Sequence, residues 1–493
     1  MQGKAKRALS ELKRPDLLRT GPHVAAAWLR RDAFQTVEDP ATGEAIAEVS
    51  SCSAGDVSFA VERAAEAFGP WSRTLPRHRG EILTRWARAI RENEDDLAVI
   101  ATCEQGKPLA ESRGEVAYAA DFLDWYAGEA ERAYGETLPS HLPSSRMSVL
   151  QQPVGATVAI TPWNFPLAMI TRKAGAALAA GCTMIVKSAP ETPLSALALA
   201  VLAEEANFPP SVLQFLTGDA PAVASQLLRE PAIRAFSFTG STGVGRLLLG
   251  MAAPTIKRAS LELGGNAPFL VFADADLDRA VSGAIAAKFA TSGQDCLAAN
   301  RIYVQRKIYP AFVEAFSQAT AAMRTGHGLS PETGIGPMTR PSAVDKCRRM
   351  VEAALRGGAR VAAGGMPSSL GERFVEPTVL YDVDDAMDVA SEEVFGPVAA
   401  IAPFDVEEEV IRRANATEMG LAAYVYTDDL NRTLRVTEAL QYGMVAVNTP
   451  KFTGAPIPFG GWKQSGLGRE GSRHGMSEYL EPKYVCIGNV AAN

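Results

Sequence analysis

Residues 154–187 read VGATVAITPWNFPLAMITRKAGAALAAGCTMIVK and contain two short apolar runs on either side of a helical pattern. The first run covers residues 154–160, and the second, at 183–186, is rich in β-branched side chains. Between them, residues 167–180 read as a helix that ends at Gly181. A buried strand, a helix and a second buried strand predict a βαβ unit with parallel strands.

The same alternation continues along the chain in two blocks that meet near Gly264. The further predicted elements are helices at 193–206, 277–289 and 309–323 and strands at 212–216, 235–238, 267–272 and 301–305. This pattern predicts an α/β fold with parallel sheets. Ligands bind such sheets at the carboxyl ends of strands, so we expect the site in the loops after residues 160, 186, 238 and 261.

Three regions outside these blocks have different patterns. Residues 56–68 and 78–104 repeat apolar positions every three or four residues, which predicts two long amphipathic helices. Residues 132–138 and 146–151 are short extended runs separated by prolines and serines, which predicts a hairpin or arm. Residues 478–487 read as a last extended segment.

The composition argues against several classes of function. The chain has 493 residues, 49 basic and 56 acidic side chains and a net charge of −7, which argues against a nucleic-acid partner. Its length allows about two to four domains, and it has no apolar stretch of about 18 residues that could span a membrane. Sparse cysteines without a CxxC motif favour a reducing compartment, so we expect a cytoplasmic protein. Lys4, Lys6 and Arg7 precede no apolar segment, which favours a charged N-terminal helix over a targeting signal.

The segment TPWNFP, at 161–166, follows a strand and opens a helix. The amide of Asn164 and the free backbone N–H groups at a helix N-terminus suit a developing oxyanion. The alternative is that Asn164 merely caps the helix. The sequence alone leaves both interpretations open.

Two further loops follow predicted strands. FTGSTGVG, at 238–245, has small residues that let backbone amides approach a phosphate, although a plain tight turn explains it nearly as well. LELGGN, at 261–266, has Glu262 at the end of a strand among apolar neighbours, where a raised pKa would suit a general base. The alternative is a carboxylate that local amides satisfy.

The segment GQDC, at 293–296, puts a cysteine in a loop between a helix and a strand. Cys296 could there be an exposed nucleophile, and the alternative is a buried, inert cysteine. The adjacent Asp295 does not settle the pKa of the thiol. The histidines are scattered and form no HxxxH pair, which argues against a Cys–His hydrolase and a zinc site, so we expect no metal.

In this order, these segments resemble the aldehyde dehydrogenase superfamily over residues 30–488. The motifs are TPWNFP (161–166), FTGST (238–242), LELGG (261–265), GQDC (293–296), EEVFGP (392–397) and PFGGWKQSGLGREG (458–471). The segments ITRKAGAALAAGCT, SLELGGNAPF and EYLEPKYVCIG are similar to the succinate-semialdehyde dehydrogenase branch. The resemblance implies two Rossmann-like parallel-sheet domains and a β-strand oligomerisation arm.

The resemblance also implies domain boundaries. The cofactor domain would be residues 1–128, 151–262 and 447–477, the catalytic domain 263–446, and the arm 129–150 and 478–493. An exposed arm with unpaired strand edges invites pairing with another subunit. Because the family is usually dimeric or tetrameric, we expect a homo-oligomer.

The catalytic roles follow from the same resemblance. Cys296 would attack the aldehyde carbonyl to form a thiohemiacetal, while Asn164 and the Cys296 backbone amide hold the oxyanion. Hydride would pass to the nicotinamide, and Glu262 would activate the water that hydrolyses the resulting thioester. Lys173 and Glu470 fall on positions associated with proton relay, although a structural salt bridge explains them as well. The presence of Glu262 argues against the CoA-acylating relatives, which lack that glutamate.

The residues on cofactor-contact positions of the family are Thr161, Pro162, Trp163, Lys187, Gly240, Ser241, Leu263, Glu393 and Phe395. Lys187 would reach the adenosine ribose, Ser241 the pyrophosphate and Glu393 the nicotinamide ribose. NAD-preferring members often have a glutamate three residues after that lysine, whereas this chain has Pro190 there and Glu191 next. Because a carboxylate at that position repels a 2′-phosphate, its displacement favours NADP, and we expect use of NADP or NAD.

The substrate contacts depart from the pattern of the branch. Arg172 matches the first of two arginines that hold the substrate carboxylate, but Ala290 stands at the second position. Lys451 or Thr453 could supply the missing contact. Ala298 stands where some members have the second cysteine of a redox switch, so we expect no such switch.

We therefore predict NAD(P)-dependent oxidation of a short acidic semialdehyde, with succinate semialdehyde as the leading substrate. One open alternative is a longer, differently charged or aromatic aldehyde. The others are an inactive structural relative and a thioesterase or acyltransferase that uses the same thiol.

Overall fold

The structure is a computed structural model that describes residues 1–490. Its α-helices are α1 (Lys4–Ser10), α2 (Ala54–Ser72), α3 (Pro76–Glu92), α4 (Glu94–Gln105), α5 (Leu109–Glu129), α6 (Ala168–Ala180), α7 (Pro193–Glu205), α8 (Ala220–Arg229), α9 (Thr242–Ala252), α10 (Leu277–Phe289), α11 (Tyr309–Ala321), α12 (Pro341–Arg356), α13 (Asp388–Ser391), α14 (Glu407–Asn415), α15 (Leu430–Ala439) and α16 (Ser472–Ser477). Its strands are β1 (His23–Val24), β2 (Ala27–Trp28), β3 (Phe34–Asp39), β4 (Glu44–Ser50), β5 (Glu136–Leu138), β6 (Arg146–Pro153), β7 (Ala156–Ile160), β8 (Thr183–Lys187), β9 (Leu213–Leu216), β10 (Ile233–Thr239), β11 (Arg258–Glu262), β12 (Ala267–Val271), β13 (Ala299–Gln305), β14 (Arg360–Ala363), β15 (Thr378–Tyr381), β16 (Val398–Phe404), β17 (Met419–Gly420), β18 (Ala422–Tyr426), β19 (Met444–Val447), β20 (Trp462–Lys463), β21 (Gly466–Leu467) and β22 (Leu480–Ile487).

The larger sheet has the strand order β2-β1-β9-β8-β7-β10-β11-β21. Its five central strands run parallel, and β1 and β21 join them antiparallel. β7 and β8 are buried along their whole length, as in parallel sheets with helices on both faces. The βαβ unit predicted at residues 154–187 is confirmed as β7, α6 and β8.

The second sheet has the order β14-β15-β16-β13-β12-β18-β19 and is parallel except for its edge strand β14. All of its strands lie between residues 267 and 447, after the larger sheet has been built except for β21. The predicted α/β class with two parallel sheets is therefore confirmed, while the domain boundaries stay a prediction.

A third, antiparallel sheet of β22, β6 and β5 lies in the regions predicted as an arm. β22 pairs with β6 along all eight of its residues. The predicted run at 132–138 is only partly a strand, because Ala130–Arg132 form a 3-10 turn after α5 and β5 begins at Glu136. Residues 491–493 of the predicted arm lie outside the described residues.

The predicted single helix at 78–104 is wrong, because the chain breaks at Asn93. α3 ends at Glu92 and α4 begins at Glu94, and Asn93 has φ −115° and ψ 25°. Its Nδ2 donates to the carbonyl oxygen of Ala89 at 2.7 Å. An asparagine side chain that bonds the local backbone competes with the helix, whereas the apolar period continues on both sides and hides the break.

Other helices match the patterns more closely. The helix predicted at 56–68 extends over Ala54–Ser72, because Ser53 and Asp56 form a capping box at its start. The charged N-terminal helix is confirmed as α1. Among residues 1–490, no helix combines the length and the apolar character that a bilayer crossing requires.

α6 carries two charged residues into the site. All of its residues are buried, so it packs on every side rather than along one face. A Cβ added at Gly175 would lie 3.0 Å from the ring of Tyr126, which shows how closely α5 approaches. Gly181 ends α6 with a left-handed backbone at φ 98°. This packing fixes the positions of Arg172 and Lys173.

Candidate active site

The carboxyl ends of four neighbouring parallel strands meet at one edge of the larger sheet. Ile160 and Lys187 are paired across β7 and β8, and Thr239 and Glu262 are paired across β10 and β11. β10 lies beside β7, so the four strand ends are contiguous. The loops in which we expect the site therefore lie side by side.

Cys296 lies in a loop that reaches this edge from the second block. Its Sγ is 3.9 Å from Oε2 of Glu262, and the residue is partly exposed. The loop begins with a 3-10 turn at Ala290–Gly293, in which Thr291 and Ser292 have left-handed backbones with φ 52° and 58°. Such conformations cost roughly 1–3 kcal/mol each and persist only where the surroundings hold them. Because it is partly exposed, Cys296 is not sealed inside a core, and its role as a nucleophile stays a prediction.

Two contacts hold this strained loop. The backbone N–H of Thr291 donates to Oε2 of Glu111 at 2.9 Å. A Cβ added at Gly265 would lie 2.3 Å from the carbonyl oxygen of Cys296, so the loop packs directly on the backbone that follows β11. These contacts fix the sulfur close to the carboxylate at the end of that strand.

The side chain of Asn164 faces the same loop. Its Nδ2 donates to the backbone carbonyl oxygen of Gln294 at 3.1 Å. The backbone carbonyl oxygen of Asn164 accepts from Nζ of the buried Lys107 at 2.6 Å. Oδ1 is buried and has no hydrogen-bond partner among residues 1–490. The helix-cap alternative is wrong, because α6 begins at Ala168 and Oε1 of Glu115 accepts from the first N–H groups there.

Burial sets the protonation of the two facing groups. It raises the pKa of Glu262 to about 8, against the opposing effect of the Arg172 charge. It also raises the pKa of the Cys296 thiol well above its ordinary value, and the charges of Glu262 and Asp295 add to this. Oε1 of Glu262 has no partner in the described part of the chain, so the local-amide alternative is wrong. A neutral thiol beside a carboxyl group that titrates near neutral pH suits proton transfer from sulfur to oxygen.

Lys173 and Glu470 form a buried ion pair behind Glu262. Nζ of Lys173 also donates to Oγ1 of Thr239 at 2.7 Å. Nε of Arg172 lies 2.5 Å from Oε2 of Glu470, and its Nη2 lies 3.7 Å from Oε2 of Glu262. Burial works to raise the pKa of Glu470, but the charges of Arg172 and Lys173 outweigh it and hold the pKa below its usual value. The structural salt bridge is present, and a relay role stays a prediction.

Two of the predicted cofactor residues meet beside the nucleophile loop. The rings of Trp163 and Phe395 pack edge to face with their centroids 5.7 Å apart, and Pro162 is partly exposed next to them. Oε1 of Glu393 accepts from the backbone N–H of Gly265 at 2.9 Å. Burial raises the pKa of Glu393 to about 7. The loop after β7 and the segment before β16 thus lie together.

The FTGSTGVG loop has the shape of an anion site. Oγ of Ser241 accepts from the backbone N–H of Val244 at 3.5 Å and caps α9, an eleven-residue helix. A Cβ added at Gly243 would meet nothing within 4 Å, so the backbone of the first turn faces open space. Gly240 has no room for a side chain, since an added Cβ would lie 2.4 Å from an aromatic ring, and Leu263 is buried beside α9. These features fit a phosphate group at the N-terminus of α9.

Lys187 lies at the end of β8 and is wholly buried. Its Nζ donates to the carbonyl oxygen of Ser188 at 2.6 Å, and burial lowers its pKa to about 8. The backbone N–H of Thr161 donates to the carbonyl oxygen of Lys187 at 3.1 Å, which joins the loops after β7 and β8. Four residues after this lysine, Glu191 forms an ion pair with Arg340.

The model of the aldehyde dehydrogenase family matches residues 28–485. The chain belongs to this family. It is 50% identical to 3-sulfolactaldehyde dehydrogenase of Pseudomonas putida over 97% of this chain and 99% of that protein. It is 48% identical to succinate-semialdehyde dehydrogenase [NADP(+)] GabD of Escherichia coli over 97% of this chain and 100% of that protein. A crystal structure of an aldehyde dehydrogenase from Brucella melitensis biovar abortus 2308 superposes with a TM-score of 0.96 at 51% identity, covering 97% of this chain and 99% of that one.

The predicted substrate residues of this aldehyde dehydrogenase do not all come together. Arg172 is fully buried, and Tyr118 lies close to both Arg172 and Thr453. Lys451 is exposed on the same loop as Thr453, and Ala290 is exposed at the start of the 3-10 turn. Tyr118 thus contacts both Thr453 and Arg172, whereas Lys451 lies on the surface.

Sequence reasoning missed several residues that shape the site: Lys107, Glu111, Glu115, Tyr118, Tyr424 and Phe452. The first four recur every three or four residues before and along α5, and this helical spacing of polar side chains is a signal that could have found them. The ring of Phe452 packs on Tyr424 at 5.4 Å, and the hydroxyl of Tyr424 donates to the carbonyl oxygen of Leu297 at 3.0 Å. The last two residues carry no comparable local signal.

Proposed function

We propose that this aldehyde dehydrogenase oxidises a short acidic semialdehyde to the carboxylic acid with NADP⁺ or NAD⁺. The observation that supports this most strongly is the 3.9 Å approach of Cys296 Sγ to Glu262 Oε2. The amide of Asn164 lies beside the same loop through its bond to Gln294. A thiol, a base and an amide donor are the groups that formation and hydrolysis of a thioester require.

In the first half of the reaction, Glu262 accepts the proton of Cys296. The sulfur then attacks the aldehyde carbonyl and forms a thiohemiacetal. The second N–H of Asn164 and the backbone N–H of Cys296 donate to the oxyanion, and one such donor is worth roughly 2.7–4 kcal/mol. A bound nicotinamide dinucleotide would supply the hydride acceptor for oxidation of the thiohemiacetal to the thioester.

Before the second half, Glu262 releases to solvent the proton that it took from Cys296. It then takes a proton from the water that attacks the thioester, and the carbon–sulfur bond breaks to release the carboxylic acid and return the Cys296 sulfur as a thiolate. The Glu262 pKa of about 8 lets this residue exchange protons near neutral pH. Glu470, whose pKa stays low, remains ionised through this cycle. Glu470 therefore acts in this proposal by holding Arg172 and Lys173 in position, rather than by storing a proton.

The dinucleotide would lie along the carboxyl edge of the larger sheet. Ser241 and the N-terminus of α9 would bind the pyrophosphate, Lys187 the adenosine ribose and Glu393 the nicotinamide ribose, with Trp163 alongside. The relative from Escherichia coli, whose name specifies NADP(+), supports this assignment. Pro190, in the position of the NAD-selective glutamate, favours NADP⁺ over NAD⁺.

Arg172, with Tyr118 and Thr453, would hold the acid group of the substrate. Nη1 of Arg172 is buried and has no hydrogen-bond partner within residues 1–490, so a carboxylate or sulfonate of the substrate would satisfy a donor that is otherwise unpaired. The named relatives act on succinate semialdehyde and 3-sulfolactaldehyde, which are both acidic aldehydes. Succinate semialdehyde is the preferred candidate substrate. Because Ala290 stands in place of the second carboxylate-binding arginine, a longer or differently charged aldehyde is the second candidate.

Rates of NADPH and NADH formation with a panel of aldehydes test this proposal. The panel contains succinate semialdehyde, glutarate semialdehyde, 3-sulfolactaldehyde and benzaldehyde, with the Cys296→Ser variant as the blank. We expect the highest kcat/KM for one of the acidic aldehydes. Equal rates with benzaldehyde would contradict the acidic class, and no oxidation of any aldehyde would favour an inactive relative. Thioester turnover without a dinucleotide would favour a thioesterase.

We also propose that the antiparallel sheet of β22, β6 and β5 pairs with a second copy of the chain. It presents apolar side chains to solvent at Leu150, Tyr484 and Ile487. A dimer or tetramer in light scattering is the expected result, and a monomer would contradict it. All six cysteines are free thiols, which supports the expectation of the cytoplasm.

A further inference from the structure

Arg340 forms an ion pair that joins the two blocks of the chain at the adenosine end of the site. Its Nε lies 2.5 Å from Oε1 of Glu191, and its guanidinium carbon lies 5.9 Å from the centroid of the Trp163 ring. Glu191 follows β8 and Trp163 follows β7, whereas Arg340 immediately precedes α12. One arginine of the second block therefore reaches across the carboxyl ends of two neighbouring strands of the larger sheet.

Pro190 restricts the backbone immediately before Glu191. Pro190 has a fixed φ, and its carbonyl oxygen accepts from Nε2 of Gln35 at 3.1 Å. Oε2 of Glu191 is buried and has no hydrogen-bond partner in the part of the chain that the structure describes. The Arg340 side chain is 50% exposed, so part of its fork of donors faces solvent and can bind a further anion.

We propose that Arg340 binds the 2′-phosphate of NADP⁺ and that Glu191 is the competing partner that holds this arginine when no 2′-phosphate is bound. The inference rests on the proposed function, because it takes the dinucleotide to lie along this edge of the sheet. A guanidinium binds a phosphate dianion through two parallel, charge-assisted hydrogen bonds. The arginine side of the pair is half exposed, so water weakens the attraction, and Arg340 can turn from Glu191 towards the stronger anion.

The two dinucleotides differ at this position alone. NAD⁺ has no 2′-phosphate, so Arg340 stays with Glu191 and contributes little to NAD⁺ binding. Removal of Arg340 also leaves the carboxylate of Glu191 uncompensated, and that charge repels a phosphate by itself. A test must therefore separate direct binding by Arg340 from mere screening of Glu191.

Calorimetric titration of the apoenzyme, without any aldehyde, measures the dissociation constants. The ligands are NADP⁺, NAD⁺, adenosine 2′,5′-bisphosphate and adenosine 5′-monophosphate. We expect Arg340→Ala to weaken NADP⁺ and the bisphosphate by about tenfold or more, as for loss of a charge-assisted pair, while NAD⁺ changes by less than about twofold. Arg349→Ala, which removes an exposed arginine of α12, the helix that follows Arg340, is the matched control and should change neither.

The same comparison in a Glu191→Gln background separates the two explanations. With no carboxylate to screen, Arg340→Ala still weakens NADP⁺ by about tenfold if Arg340 binds the phosphate directly. Glu191→Gln alone should strengthen NADP⁺ binding, because the competing partner is gone, and should leave NAD⁺ unchanged. Arg340→Lys keeps the charge without the bidentate fork and should retain part of the affinity.

The proposal is overturned if Arg340→Ala leaves NADP⁺ affinity at the level of Arg349→Ala, or if its effect vanishes in the Glu191→Gln background. Circular dichroism and thermal melting of each variant exclude loss of the fold as the cause. If none of the dinucleotides binds the unmodified protein, the proposed function itself fails. If both dinucleotides bind and Arg340→Ala affects them equally, only this inference fails.

Discussion

Arg172 and Glu262 face each other in the buried site, with 3.7 Å between Nη2 and Oε2. Burial raises the pKa of the glutamate, and the guanidinium opposes that rise. The pKa of Glu262 is therefore about 8, and it would be higher without the Arg172 charge. The same oxygen lies 3.9 Å from the sulfur of Cys296, so one arginine lowers the pKa of the group that we propose to activate the nucleophile.

The first prediction concerns the pH dependence of activity. Glu262 works as a base only when ionised, so kcat/KM should rise with pH through an apparent pKa of about 8. Arg172→Met removes a charge that lowers this pKa and should move the rise to higher pH. Propanal as substrate separates this effect from loss of a carboxylate contact. A rise centred near the ordinary pKa of a glutamate, about 4.3, would be incompatible with the raised pKa.

The second prediction concerns stability. Glu470→Gln leaves the buried cations Arg172 and Lys173 without their carboxylate, and breaking a buried pair in this way costs about 3–5 kcal/mol. Urea denaturation at neutral pH measures the loss. Because the folded pKa of Glu470 is lowered, its contribution is present above the unfolded pKa and disappears as the pH falls through the folded pKa. Glu418→Gln, at an exposed carboxylate, should change the free energy of unfolding by less than about 0.5 kcal/mol, and equal losses in both variants would refute the role of the buried group.

The third prediction concerns the substrate pocket. Ala290 is exposed at the start of the 3-10 turn, so an arginine there has room to reach a bound carboxylate. Ala290→Arg should lower KM for succinate semialdehyde by about tenfold and leave benzaldehyde unchanged. Ala290→Met adds a long side chain without the charge and is the control. If the two variants prefer the same aldehydes, the missing-anchor interpretation is wrong.

The fourth prediction concerns the backbone beneath the nucleophile. A Cβ at Gly265 would lie 2.3 Å from the carbonyl oxygen of Cys296, so Gly265→Ala must displace the loop. A displacement of about 1 Å can cost about a hundredfold in kcat. Gly250→Ala, where an added Cβ meets nothing within 4 Å, is the control. The rate of Cys296 alkylation by iodoacetamide should change with Gly265→Ala alone, and unchanged kinetics in both variants would argue against this packing.

The sequence predicted the carboxyl ends of β7, β8 and β10 to within one residue, because each is a short, mainly apolar run that glycine or proline soon follows. Strand periodicity and turn residues are local signals, so they can be read from the sequence without knowledge of the tertiary contacts. The break at Asn93 was not predictable from the period, since α3 and α4 both keep an apolar face. The side-chain bond that ends α3 is invisible to a search for amphipathic stripes.

Contacts between distant segments lay beyond the sequence patterns. Glu115 caps α6 through Leu167, which lies 52 residues later in the chain. Glu111 binds Thr291 in the loop of Cys296, 180 residues later in the chain. The ion pair of Arg340 and Glu191 spans 149 residues. Sequence motifs identify the candidate catalytic residues. The residues that hold them in place come from distant parts of the chain and become visible only in the packed structure.

The central claim is that Cys296 carries the acyl group and that Glu262 releases it. The most direct test is intact-protein mass spectrometry of the Glu262→Gln variant after mixing with succinate semialdehyde and NADP⁺ at pH 9, where the thiol ionises more readily without its base. We expect a stable acyl adduct on Cys296, about one equivalent of NADPH per site, and no adduct in the Cys296→Ser variant. Undiminished steady-state turnover of Glu262→Gln, or an adduct on any residue other than Cys296, would contradict the account.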